Sequence, residues 1–233
     1  MTGKLLAKDG AITAYEPLLV RAEIRNQCEH TVKLKIAREY TTRIEIRDGT
    51  GRVVAATRRP AFPIDLIHFE WALAPRQTRT TLLIVSALYQ FKTPGKYAVR
   101  VQQLELSEDI RLIAECTVWV RVLPFDAARL RARCEELFQP LLPMNTEQLG
   151  DLSLSARTTA LRSVRHDIVL PYLEWMACKW HDRYAVRAMR RMGTEQAERL
   201  VETLAARKDS VGQAAQQGLN MALEITSWDI FAD

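Results

Sequence analysis

The sequence has no apolar run near the roughly 18 residues that a membrane-spanning helix needs, which excludes a helical span. Its opening, MTGKLLAKDG, shows neither the long apolar segment nor the small-residue cleavage site of a signal peptide. The expected location is the cytoplasm, or an exported site with the leader absent from this chain. Cysteine is scarce: Cys28, Cys116, Cys134 and Cys178 make up the whole set. None stand close enough for a redox CxxC pair or a zinc knuckle, so no thiolate metal site is expected. Two fall in each half, which would permit one bridge per half; four free buried thiols are the expectation for a cytoplasmic chain. Glycine is also sparse, at nine residues, and forms no Gly-x-Ser-x-Gly elbow and no phosphate-cradling loop. Those absences remove the common signatures of nucleophilic catalysis and nucleotide binding, and no cofactor is expected.

What is present is an ordinary globular composition, 48% hydrophobic and 26% charged, which argues against disorder. The formal charge of +5 is unevenly shared. Residues 1–124 hold 19 Lys and Arg against 13 Asp and Glu, whereas residues 125–233 hold 14 against 15. The basic residues of the first half are scattered among alternating segments rather than gathered into one stripe, so nucleic acid is not the expected partner.

The first half alternates with period two. Leu18, Val20, Ala22 and Ile24 share one face, and Leu19, Arg21, Glu23 and Arg25 share the face expected in water. The pattern returns at Val32–Ile36, Arg43–Arg47, Thr81–Val85, Tyr97–Val101 and Cys116–Val122, with Asp48-Gly49-Thr50-Gly51 supplying a hairpin turn. Roughly six to eight short strands without helical period indicate an antiparallel sandwich. Tyr15-Glu16-Pro17, Asn26, Trp71-Ala72-Leu73-Ala74-Pro75 and above all Thr93-Pro94-Gly95-Lys96-Tyr97-Ala98-Val99 resemble bacterial immunoglobulin-like domains of the proteinase-inhibitor type, over residues 10–123. The resemblance implies a Tyr97 side chain tied to nearby backbone at a corner. It implies inhibition only by analogy of fold. Within that frame Cys28 and Cys116 fall on inward parity, where a bridge would staple an early strand to the last one; unpaired thiols are the favoured state.

At Pro124 the period changes. Asp126 is placed to cap a helix with Ala127, Leu130, Cys134, Leu137 and Phe138 along one stripe, and Pro140 and Pro143 end it. A second helix is expected from Ser153 or Ser155. Beyond it, helix starts at Asp167, Asp182, Thr194 and Asp209 repeat: Asp167 to Thr194 and Asp182 to Asp209 are both 27 positions. Equal spacing of paired starts is the mark of a helical-hairpin repeat. Leu170-Pro171-Tyr172-Leu173, Asp182 with Val186-Arg187, and Thr194-Glu195 with Ala197, Leu200 and Val201 resemble short bacterial HEAT-like repeats, about three hairpins in all. The period is shorter than that of long HEAT repeats, and Gln213 stands where a repeat Arg is expected. The expected organisation is a β domain over 1–124 and an α-helical repeat array over 125–233, a multidomain β-then-α protein.

His166-Asp167 and His181-Asp182 invite comparison with metal-dependent HD phosphohydrolases, whose chemistry needs His and Asp ligands from several helices around a metal. Asp at a helix start is far more often a cap. His30 and His68 have no evident partner, and Glu135-Glu136 sits on a solvated helical stretch. The expected interaction surface is a polar ridge on the second helices of the hairpins: Arg162, Arg165, Arg183, Arg187, Arg190, Arg191, Gln213 and Gln217, with Gln216 and Asn220 beside them. It suits a protein or peptide partner carrying carboxylates or phosphates, although Arg187 would equally serve to bridge repeats. Trp71, Trp119, Trp175, Trp180 and Trp228 are candidate anchors, with Trp119 on outward parity and Trp228 placed to cap the last repeat. The reading is a non-catalytic interaction protein, with inhibition through the sandwich loops and an HD-type enzyme as its rivals.

Overall fold

The computed structural model describes residues 2–5, 10–35, 42–56, 70–105, 111–144, 152–221 and 231–232. The expectations for Ile36, His68 and Trp228 lie outside the described residues, as does the side chain of Trp71. Strands fill the first half: β1 (Thr2–Leu5), β2 (Ala11–Thr13), β3 (Leu19–Arg25), β4 (Val32–Lys35), β5 (Thr42–Arg47), β6 (Val53–Ala56), β7 (Glu70–Leu73), β8 (Thr78–Ile84), β9 (Gly95–Glu105) and β10 (Arg111–Leu123). A one-turn helix, α1 (Val85–Leu88), follows β8. The second half is helical: α2 (Ala127–Phe138), α3 (Leu152–Ser163), α4 (Leu170–Trp180), α5 (Arg183–Arg190), α6 (Glu195–Ala205) and α7 (Ser210–Asn220). A final short strand, β11 (Phe231–Ala232), returns to the first half.

The strands form a four-stranded sheet in the order β1-β3-β8-β11, a five-stranded sheet in the order β2-β10-β9-β5-β6, and the pair β4-β7. Most neighbours run antiparallel, but β2 lies parallel to β10. The alternation expected from the sequence decides which side chains meet. Val20 and Ala22 of β3 with Leu83 and Ile84 of β8 pack against Ile44, Ile46, Val99, Val101, Val118, Val120 and Val122 of the larger sheet. Asp48 turns the β5–β6 hairpin by accepting the amides of Thr50 at 3.0 Å and Arg52 at 3.1 Å, and Gly51 supplies the left-handed backbone. The Tyr97 hydroxyl donates to the Thr93 carbonyl at 2.9 Å, as the sequence resemblance implied.

One strand face departs from the simple alternation. Leu19 belongs by parity to the solvent side of β3, yet it is buried among the helices with Leu130, Cys134 and their neighbours. The helical half covers that end of the smaller sheet, so both faces of β3 are apolar there. Polar contacts fix the junction. The Thr13 hydroxyl donates to the Pro124 carbonyl at 2.6 Å and accepts the Asp126 amide at 2.8 Å. The buried Glu16 carboxylate accepts the Thr13 amide at 2.8 Å and Arg129 Nε at 3.1 Å, while Arg129 also donates to the Ala11 carbonyl at 2.6 Å. Ser86 and Ser163 share a 2.7 Å hydrogen bond nearby, and Gln90 donates to the Ser163 carbonyl at 2.8 Å.

The helices pair as (α2, α3), (α4, α5) and (α6, α7). Asp126, Asp182, Thr194 and Asp209 each accept an amide of the first turn, as capping requires. Asp167 does not. A 3-10 turn (Asp167–Val169) intervenes before α4, and His166 Nδ1 accepts the Ile168 amide at 3.2 Å in its place. The Asp167 carboxylate instead accepts the Thr194 hydroxyl at 2.6 Å, joining one hairpin start to the next. Glu135 is likewise less solvated than the sequence suggests: it accepts the Tyr172 hydroxyl at 3.0 Å. Burial, with this bond second, pushes the Tyr172 pKa up to about 12.

All four cysteines are free, but the expectation that all are buried is corrected: Cys116 and Cys178 are half-buried, and Cys28, expected on an inward position, is exposed in a bend past the end of β3. Cys134 is fully buried, and burial pushes its thiol up to about 12. Thiol titration of the native protein is therefore expected to label Cys28 first and leave Cys134 untouched until denaturant is added. Glu16→Ala should lower stability by about 2–3 kcal/mol, at the low end for a broken buried pair because Arg129 keeps some access to water. An unchanged urea midpoint would show that this pair contributes nothing to the junction.

Candidate functional site

The second helices of the three hairpins lie side by side, with α5 between α3 and α7. A groove of about 450 Å³ crosses them. Its walls are Ser155, Thr158 and Arg162 of α3, Trp180, His181 and Asp182 at the α4–α5 turn, Arg183 and Tyr184 of α5, and Gln217 of α7. The close approach of α5 and α7 depends on Gly218, because a Cβ there would stand 2.7 Å from the Arg183 carbonyl oxygen and 2.7 Å from Val186 Cβ.

Asp182 organises the groove. One carboxylate oxygen accepts the amides of Tyr184 at 2.9 Å and Ala185 at 3.2 Å, capping α5. The other accepts Arg162 Nε at 3.0 Å and Nη2 at 2.5 Å, a two-pronged pair that the planar guanidinium favours. Asp182 is buried and Arg162 nearly so, and the pair holds the Arg162 guanidinium 5.4 Å from the Tyr184 ring centre. The Arg183 guanidinium lies 5.3 Å from the same ring. Two cations thus share one aromatic ring, in a position where each gains from the ring's negative face. Arg162 is neutralised by Asp182, whereas exposed Arg183 makes no ion pair among the described residues.

His181 closes the end of the groove. It takes a left-handed conformation as the C-cap of α4, and its Nε2 shares a 2.9 Å hydrogen bond with the Ser210 hydroxyl. A hydroxyl beside an imidazole is half of a nucleophilic arrangement, which also requires a group to orient the ring. No described carboxylate holds the other ring nitrogen of His181. The two His-Asp dipeptides sit at opposite ends of α4, a helix about 16 Å long at 1.5 Å per residue. His166 is engaged with Phe125, stacked at 4.8 Å, and with Tyr15. Among the described residues no three His, Cys, Asp or Glu side chains converge on a possible metal position.

Of the eight ridge residues expected from the sequence, Arg162, Arg183 and Gln217 meet in the groove. Four-residue steps rotate 40° beyond a full turn on a helix, which carries successive Arg side chains off a single line. Arg187 is 3% exposed and lies within the helical packing. Arg190 donates to the carbonyls of Gly218 at 3.2 Å, Leu219, and Met221 at 3.2 Å, closing the end of α7. Arg165 reaches the Ala188 carbonyl at 3.4 Å, Arg191 is half-buried, and Gln213 is exposed on α7 away from the groove lining. The ring that unites the site, Tyr184, was not among the expected residues; its place directly after a capped Asp182-Arg183 start was the available signal. Of the tryptophans, Trp175 and Trp180 pack edge to face at 4.9 Å among the helices, and Trp119 is 68% exposed on β10.

These contacts separate two kinds of arginine. Arg190→Ala removes donors to the end of α7 and should cost about 1–2 kcal/mol, whereas Arg183→Ala should stay within about 0.5 kcal/mol of the parent, as exposed substitutions do. Urea midpoints of the two variants check the order; equal losses would overturn it.

No family model matches the chain, and no curated protein matches it. Among solved structures, it is similar to a beta-glucosidase from Listeria innocua in complex with glucose, at 19% identity and a TM-score of 0.29, over 52% of this chain and 15% of that one. A mutant of the Listeria innocua beta-glucosidase in complex with laminaribiose gives 17% identity and a TM-score of 0.28, over 52% of this chain and 16% of the other.

Proposed function

We propose that the protein is a non-catalytic interaction protein that joins an immunoglobulin-like sandwich to a short HEAT-like array and captures an acidic protein segment in the groove across α3, α5 and α7. The observation that carries this reading is the Tyr184 ring shared by two guanidinium groups, one neutralised and one open to solvent. Arg183, without an ion pair among the described residues, supplies a charge at a site already rigidified by the Arg162–Asp182 pair. The ordering cost of receiving a carboxylate is thereby low. Ser155 and exposed Gln217 add hydrogen-bonding groups along the wall. A volume of about 450 Å³ lies within the range of small-ligand and peptide pockets.

A fluorescent peptide of Glu, Ser and Gly tests the reading by anisotropy. Saturable binding is expected at low salt, with Arg183→Glu weakening it by about tenfold or more. No saturable binding, or an unchanged affinity in Arg183→Glu, sinks the proposal.

A further inference from the structure

The outer face of the five-stranded sheet is a second charged surface, distant in sequence from the groove. The inward residues Val118, Val120 and Val122 of β10, Val99 and Val101 of β9, and Ile44 and Ile46 of β5 belong to the core. Their alternating neighbours form the outer face. Register places Trp119 opposite Ala98, which lies opposite Arg47, and Arg121 opposite Lys96. One step the other way, Thr117 faces Arg100, which faces Glu45.

Two features set this face apart from an ordinary solvated sheet. Trp119 is 68% exposed, although Val118 and Val120 on either side are buried. Ala98 beside it is small and only 8% exposed, so the indole rises above it, and beyond Arg47, the next position across the sheet, Val53 of β6 stands 43% exposed. The charges around the indole are unbalanced as well. Arg47 pairs with Glu45 at 2.7 Å and Arg100 with Glu115 at 2.6 Å, which uses both carboxylates. Lys96 and Arg121, both exposed, make no ion pair among the described residues. They stand directly across from one another, about 5 Å between Cβ atoms and about 7 Å along the strand from Trp119. Like charges in that position oppose strand pairing. An anionic group between them would relieve the repulsion.

We propose that this face, centred on Trp119 and the cross-strand cations Lys96 and Arg121, docks an acidic amphipathic protein segment. Its apolar side chains meet the Trp119 indole, with Val53 as a second contact beyond Arg47, and its carboxylates meet Lys96 and Arg121. The composition of the face selects this occupant over a nucleic-acid strand. A single exposed ring offers one stack rather than the successive platforms that track a strand, and Glu45 and Glu115 lie in the path of a continuous polyanion. The surface is independent of the groove reading, since no residue is common to both.

The test uses the intact protein and a labelled Leu/Glu peptide of helical amphipathic spacing, followed by anisotropy. Saturable binding that weakens as salt rises is expected. Trp119→Ala and Lys96→Glu/Arg121→Glu, each made in the Arg183→Glu background so that the groove does not take up the acidic peptide, should reduce affinity about tenfold or more. Lys96→Glu alone converts the repulsive pair into an attractive one, so it should raise the urea midpoint while lowering affinity. That opposition separates a binding role from a folding defect. The proposal is overturned if the peptide does not bind, if a Leu/Lys peptide binds as well, or if the Trp119 and Lys96 variants bind like the parent. It is equally overturned if oligothymidylate occupies the face in preference to the peptide. Sedimentation showing self-association that the same variants abolish would assign the face to a second copy and also overturn it.

Discussion

The Glu16 carboxylate accepts the Thr13 amide and Arg129 Nε while almost wholly removed from water, and through it β2 and α2 hold each other. A buried carboxylate is tolerated only when its oxygens are met, and here one partner comes from each half of the chain. The same short segment binds the linker, because the Thr13 hydroxyl bonds on both sides of Phe125. That geometry sets where α2 begins. The placement of α2 in turn fixes α3, whose far end bonds to α1 through Ser86 and Ser163 and whose near side forms the groove wall. The groove is thus oriented by a contact among residues 13, 16 and 129, none of which line it.

Within the helical half, cations serve several different ends. Arg190 satisfies the carbonyls that finish α7, Arg162 satisfies Asp182, and Arg183 remains open to solvent. On α5 itself, eight residues long, Arg183 is exposed while Arg187 is buried and Arg190 half-buried, so its arginines do not share one side. The result on α5 is a division between arginines that hold neighbouring helices and Arg183, which faces outward.

Much of the fold was legible in the sequence because period and capping chemistry are local. Asp126, Asp182, Thr194 and Asp209 cap the helices they were expected to cap, and the period-two runs became strands. What was not legible depended on distant partners. Leu19 reads as a solvent position until helices more than a hundred residues later cover it, and Asp167 reads as a cap until Thr194 claims its carboxylate. The groove was half legible for the same reason. Spacing identified Arg162, Arg183 and Gln217, but the Tyr184 ring that unites the two arginines becomes visible only when α3 and α5 are side by side.

Gly218 gives the groove an adjustable dimension. A missing methyl group, rather than any lining residue, lets α7 approach the Arg183 carbonyl, and the Gly218 carbonyl is itself held by Arg190. The width between α5 and α7 is therefore encoded at a position that touches no ligand. Substitution there would act like a spacer inserted between two jaws, altering what the groove admits while every recognition group stays in place.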